Sequence, residues 1–248
     1  MIDFTEIIGH EDIIKHFKKS IELGQVSQTY IINGENGSGK KTLTRALAKT
    51  LQCEEGGTEP CNHCKSCLQS ETGNQPDVVW ITHDKPNFIS VDEIREQLIN
   101  DIDIKPYSSR YKIYVINDAH LMRPEAQNAL LKTIEEPPAY AIIILLTENM
   151  EKLLPTIVSR CIVLNIKPVR ENDIMEYLET VLHLDNERAR FCMDFAQGNL
   201  GKAIRLASSE DYREIKEDVV RVMRKLNDMS VDDVISVSYT HLRAHETR

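Results

Sequence analysis

The chain has 248 residues, 41% of them hydrophobic and 28% charged, a soluble globular composition that excludes a disordered tail, a collagen-like fibre and a disulfide-dense miniprotein. Thirty Lys and Arg against 39 Asp and Glu leave a net charge of −9, so the whole-molecule field repels nucleic acid and any DNA contact has to be local or shared with partners. The longest apolar run, residues 141–146, is far short of the ~18 needed to cross a bilayer, and the first residues lack a basic segment followed by an apolar one; the chain reads as cytoplasmic, with no membrane partner.

Short apolar runs then alternate with longer amphipathic stretches. Helical spacing over 13–23 leads into a strand at 29–33 (TYIIN), a glycine-rich turn and a helix over 41–51. A strand at 78–82 precedes a helix over 91–101 that opens on a capping box, Ser90 with Glu93. The strand 112–116 (KIYVI) is followed by a helix from Pro124 to 134, closed by Glu135-Glu136-Pro137-Pro138. Strands at 141–147 and 161–166 complete the pattern. These β-branched, almost uninterrupted runs suit strands buried on both faces of a parallel sheet, so residues 1–167 predict an α/β core with helices on both sides. After Pro168 only helices follow, at 172–182, 187–197, 201–208 and 211–226, which predicts a small all-α domain over 168–237. From about Ser238 the register breaks, and 238–248 read as a non-native tail.

The turn after the first strand reads Gly34-Glu35-Asn36-Gly37-Ser38-Gly39-Lys40-Lys41-Thr42, a GxxxxGK phosphate loop between a strand and a helix. Its glycines let backbone N–H groups curl round phosphate oxygens, the helix N-terminus adds a positive dipole end, and Lys40 can reach the terminal phosphates. The full pattern needs a hydroxyl directly after the lysine to ligate Mg²⁺; Lys41 stands there, and Thr42 lies about 100° further round the helix. A second Mg²⁺ partner should end a later strand, where Asp-Glu is replaced by Asn117-Asp118. Both changes weaken the metal, so ATP can bind while hydrolysis should be poor or absent.

Four of six cysteines, Cys53, Cys61, Cys64 and Cys67, fall within fifteen residues. Four thiolates close a tetrahedral zinc shell with no open position, so they predict a structural metal site, with a redox or unmetallated cluster as the alternative. His63 lies between two of them and is expected to be solvated. Cys161 and Cys192 sit in apolar contexts as buried, inert thiols, and Trp80 is expected in the core beneath the sheet.

Taken in order, Phe4, Ile7-Ile8-Gly9-His10, the phosphate loop, the cysteine insertion, Ile116-Asn117-Asp118-Ala119-His120, Leu130-Leu131-Lys132-Thr133-Ile134-Glu135-Glu136-Pro137-Pro138 and Ser159-Arg160-Cys161 resemble the bacterial clamp-loader AAA+ subunits. The resemblance implies an AAA+ P-loop core with the zinc module at 53–67, a helical lid, and a collar domain for which this chain has no room. It is closer to the delta-prime class than to the gamma/tau motors. Motors carry a hydroxyl after the loop lysine, an Asp-Glu pair and a sensor arginine in the lid, where Gly198-Asn199-Leu200-Gly201 places Gly201. Arg160 is intact, and the resemblance implies that it is an arginine finger presented to a neighbouring subunit's ATP, where a planar guanidinium neutralises charge growing on the γ-phosphate. Thr147-Glu148-Asn149 falls in the sensor-one region. The implied role is a clamp-loader subunit of DNA polymerase III, partnered by gamma/tau and delta subunits, by the sliding clamp indirectly, and by primer-template DNA through the complex. The alternatives are an active ATPase motor and a metal-dependent nucleic-acid module; the latter is disfavoured by the acidic charge and by the lack of a basic, aromatic-rich stretch.

Overall fold

The structure is a computed structural model describing residues 3–208, and the chain divides into two compact units, Met1–Ile204 and Arg205–Arg248. The helix expected over 211–226 and the tail from 238 lie outside the described residues.

Five strands form one parallel sheet: β1 (Thr29–Asn33), β2 (Val78–Ile81), β3 (Lys112–Ile116), β4 (Ala141–Thr147) and β5 (Ile162–Asn165), in the order β2-β3-β4-β1-β5. Helices separate them: α1 (Glu11–Glu22), α2 (Lys40–Gln52), α3 (Lys65–Glu71), α4 (Val91–Ile94), α5 (Pro124–Glu135) and α6 (Pro155–Val158). Then follow α7 (Glu171–Thr180), α8 (Asn186–Ala196) and α9 (Leu200–Ser208).

The period of two along the strands divides the core. Ile31, Tyr114, Ile116, Ile143 and Leu145 face one way and pack with Ile94, Leu98, Leu130, Ile134 and Ile157. Tyr30, Ile32, Ile113, Val115, Ile142, Ile144 and Leu146 face the other, against Ile13 and Phe17 of α1 and Leu43, Leu47 and Leu51 of α2. Each central strand is therefore apolar throughout, as a sheet covered on both sides requires.

Three local features depart from the sequence reading. The helix expected over 91–101 keeps its capping box, Ser90 Oγ accepting from Glu93 N and Ser90 N donating to Glu93 Oε2, but widens after Ile94 into a π turn over Arg95–Ile99. That turn sets Gln97 against the backbone of Thr82, whose N–H and carbonyl it bonds at 2.9 and 2.7 Å. The cysteine insertion contains a helix, α3, that no periodicity announced. Trp80 is half-buried rather than core, because β2 is a sheet edge; the Arg45 guanidinium lies 5.5 Å from its ring centre.

The N-terminal edge of the sheet is tied together by polar side chains. Gln52, at the end of α2, donates to the carbonyls of Asp77 and Tyr111, which precede β2 and β3. The buried carboxylate of Asp77 accepts the N–H groups of Tyr107, Ser108 and Ser109. The phosphate loop lies at the opposite edge, outside the carboxyl end of β1, where ligands of open α/β sheets bind.

Candidate functional site

The phosphate loop forms as predicted. Gly37 and Gly39 take positive φ, 83° and 94°, and Gly39 leads directly into α2. Lys40 is 7% exposed, and its ammonium donates to the carbonyls of Gly34 at 2.5 Å and Glu35 at 2.8 Å, with Glu148 at 3.8 Å. Burial lowers its pKa, and the charges of Glu148 and Asp118 oppose that shift. The lysine therefore stitches the loop closed on itself.

Lys41 and Thr42 are both exposed on α2. At the end of β3 the Asn117 amide donates to the carboxylate of Asp118, whose φ of 52° is left-handed. Of the two positions expected to hold magnesium, one is a lysine that offers no ligand, and the other is an amide–carboxylate pair in which the Asn117 N–H engages one Asp118 oxygen, so fewer hard oxygen donors remain than the full pattern supplies. From the sensor-one region, the Thr147 carbonyl accepts from Gly34 N, and Glu148 faces Lys40.

Two elements that the sequence did not connect with the loop reach it. His10, at the start of α1, places Nε2 2.9 Å from the Ser38 carbonyl, a geometry that puts the imidazole proton on Nε2. Burial lowers its pKa despite that bond. From the helical segment, Asn199 Nδ2 donates to the Asn36 carbonyl at 2.9 Å, while Asn199 Oδ1 accepts from Lys202 N as a cap. Gly201 N donates to the Gly37 carbonyl at 3.0 Å. A Cβ on Gly201 would lie 2.4 Å from that oxygen, so the approach is open to glycine alone. The sequence singled out Gly201 only as the place of an absent arginine; a tertiary contact of this kind leaves no periodic signal.

Arg160 stands at the other edge of the sheet. It follows α6 in a tight turn, with Arg160 N donating to the Ile157 carbonyl, and its own carbonyl accepts from Thr29 Oγ1 at 2.9 Å. Thr29 opens β1 and Asn33 closes it before the phosphate loop, on the order of 13 Å away at ~3.3 Å per residue. The guanidinium forms an ion pair with Glu135, Nε lying 2.8 Å from Oε1, and its Nη1 donates to the Thr156 carbonyl and Ser159 Oγ at 2.9 and 3.3 Å.

The four clustered cysteines come together at the end of α2 and the start of α3, their sulfurs all within 4.8 Å of one another. A tetrahedral shell with ~2.3 Å bonds sets sulfur–sulfur edges of about 3.8 Å, and Cys61 and Cys67 are 3.9 Å apart. Backbone N–H groups point at the sulfurs: Cys61 N at Cys53, Cys64 N at Cys61 and Cys67 N at Cys64, at 3.3 to 3.4 Å. Burial works to raise the Cys64 thiol, but the backbone N–H groups of Glu54 and Cys67 and the neighbouring Cys67 and Cys61 thiols outweigh it and bring it to about 7, whereas burial pushes Cys67 up. The set could hold a zinc ion. His63 is 71% exposed and pairs with Glu55 outside the cluster. Cys192 is fully buried; Cys161 is partly buried, with its thiol pushed up to about 11 by burial.

Residues 9–170 match the DNA polymerase III, delta subunit family. Relatives include the DNA polymerase III subunit gamma of Buchnera aphidicola subsp. Schizaphis graminum, 36% identical over 82% of this chain and 57% of its own length. They also include the DNA polymerase III subunit delta' of Bacillus subtilis, 31% identical over 87% of this chain and 64% of its own. The chain thus spans roughly three fifths of the length of these relatives. Among solved structures, the RuvB Holliday junction branch migration motor of Thermotoga maritima superposes with a TM-score of 0.58 over 84% of this chain and 63% of that one, at 16% identity. The P-loop α/β fold is common to both, and the chain belongs to the DNA polymerase III delta-subunit family of the clamp-loader AAA+ group.

Proposed function

We propose that the protein acts in DNA replication as a delta-prime-type clamp-loader subunit of DNA polymerase III, with little or no ATP hydrolysis of its own. In this reading it supplies Arg160 in trans to a neighbouring gamma/tau subunit. The observation that carries it is the separation of Arg160 from its own phosphate loop by the length of β1. A guanidinium at one edge of the sheet cannot reach a γ-phosphate at the other, so an acting Arg160 acts on another subunit's nucleotide.

The state of the loop supports the same reading. If ATP binds, its phosphates would be held by the N–H groups of Gly37, Ser38 and Gly39 and by Lys40, after that lysine leaves the Gly34 and Glu35 carbonyls. The cysteine set supports a structural zinc ion that staples the insertion after α2. The partners in this role are gamma/tau and delta subunits, the sliding clamp indirectly, and primer-template DNA held by the ring in the cytoplasm; a charge of −9 suits DNA contact shared with other subunits.

Similarity to gamma subunits and the intact GxxxxGK loop favour a second reading, an active motor. ATP turnover separates the two. Mg²⁺-dependent hydrolysis by the purified chain that is abolished by Lys40→Ala supports the motor, and turnover at background level supports the delta-prime role. In a complex reconstituted with gamma-type subunits, Arg160→Ala is expected to lower DNA-stimulated turnover at the site it serves by about tenfold or more, fingers being worth ~10³ and upward in isolated GTPases. Unchanged turnover in that complex sinks the trans role.

A further inference from the structure

We infer that Glu135 is a positioning residue for Arg160: it grips the Nε side of the guanidinium and aims the Nη2 edge outward, at the phosphate of the neighbouring subunit. The inference rests on the proposed trans role of Arg160 and adds to it the group that prepares the finger.

The donor count of the guanidinium comes first. Of its five N–H bonds, those on Nη1 go to the Thr156 carbonyl and Ser159 Oγ, while Nε lies 2.8 Å from Glu135 Oε1 as an ion pair. Nη2 has no partner among the described residues, so it is the edge left to receive an anion. An arginine side chain free in solvent samples many rotamers, and the pair with Glu135 fixes the outermost part of that freedom before a partner arrives.

The framework beneath the pair is shared. Gln28 donates to the carbonyls of Pro137 and Pro138, directly beyond the end of α5, at 3.2 and 2.6 Å. The next residue, Thr29, holds the Arg160 carbonyl. Two consecutive residues at the start of β1 thus anchor both the helix end that bears Glu135 and the turn that bears Arg160.

Stability does not account for the pair. Glu135 is the last residue of α5, where a carboxylate meets the negative end of the helix dipole. The side chains of Glu135 and Arg160 are 44% and 40% exposed, the range in which ion pairs add little to folding. Its geometry has an evident use in setting the direction of a guanidinium, which a transition-state contact demands within about half an ångström.

The test uses the full chain assembled with gamma-type motor subunits and a delta subunit on primer-template DNA, reading kcat and KM for ATP. Glu135→Ala is expected to lower kcat about fivefold with KM within about twofold, the mark of lost orientation. Glu135→Gln, which keeps the shape of the side chain and loses the charge that pairs with the guanidinium, should fall between Glu135→Ala and the parent protein. The double variant should match Arg160→Ala alone. If Glu135→Ala leaves kcat unchanged or raised while Arg160→Ala lowers it, the positioning inference is overturned and the trans role stands. A double variant clearly slower than Arg160→Ala also overturns it, because Glu135 then acts apart from the finger. If Arg160→Ala itself has no effect, the proposed function falls and the inference falls with it.

Discussion

The two edges of the sheet treat their polar groups in opposite ways. At the carboxyl edge the charged and amide groups of the loop and of the β3 end are engaged inward: Lys40 on the loop carbonyls, Asn117 on Asp118, and the Gly37 carbonyl on Gly201. At the amino edge Arg160 is held by Glu135, Thr156 and Ser159, while Nη2 has no partner among the described residues. The comparison separates a site closed upon itself from one prepared for something outside the chain. A loop motif alone does not distinguish an active ATPase from a subunit that serves one.

The largest test concerns the amino edge, where the cysteine module also sits, held there by Gln52. Removing bound zinc by chelation, or replacing Cys67 with Ala, should cost several kcal/mol, below the roughly 10–16 kcal/mol of isolated zinc-finger peptides because the sheet core folds without the metal. Limited proteolysis should then cut within 53–67 while the phosphate loop stays resistant. Cleavage at the loop first would mean that the edges are not independent.

Next is Gly201→Ala, which drives a methyl group into the Gly37 carbonyl. Urea denaturation should show a loss of roughly 1–3 kcal/mol. Binding of a fluorescent ATP analogue should rise if contact with α9 is what keeps the loop shut. A stability equal to that of the parent protein would dissolve the claim that this edge is closed. Asn199→Ala, which removes the bond to Asn36 and the cap on Lys202, should cost about 1 kcal/mol in the same assay.

A smaller effect is expected from His10. Its folded pKa lies below the ordinary 6.5, so as pH falls through about 6.5 the unfolded chain takes up a proton that the folded one refuses. Its contribution to stability is therefore complete above that range and lost progressively below it, until the folded imidazole also protonates. His10→Gln, which keeps a donor for Ser38, should lack this component when melting is compared between pH 7.5 and 5.5. The smallest effect is the sharpest for the comparison: Arg160→Ala should change folding stability by less than about 0.5 kcal/mol, as for other exposed ion pairs. A loss of several kcal/mol would recast Arg160 as part of the structure.

Much of this architecture was legible because burial leaves a period in the sequence. The strands at 29–33, 112–116 and 141–147 coincide with β1, β3 and β4, since strands covered on both faces have unbroken apolar centres and polar residues only at their ends, such as Asn33, Lys112 and Thr147. Edge strands were less clear: Trp80 looks like core by its chemistry, yet β2 has a neighbour on one side only. That the four clustered cysteines come together followed from spacing, whereas α3 did not, because a seven-residue helix within the insertion needs no amphipathic stripe. Glu135 and Arg160 are twenty-five residues apart, and Gly37 and Gly201 far more. Nothing in either segment encodes the other, so those meetings had to be seen in three dimensions.

The glycine at 201 also bears on how reversible this arrangement is. Restoring an arginine there by one substitution would not recreate a sensor, because its first carbon already collides with Gly37 before any guanidinium finds a phosphate. The loop would have to withdraw first, and the bond between the two glycines holds it in place. An arginine at 201 therefore needs at least two coordinated changes, one that withdraws the loop and breaks this contact and one that supplies the side chain.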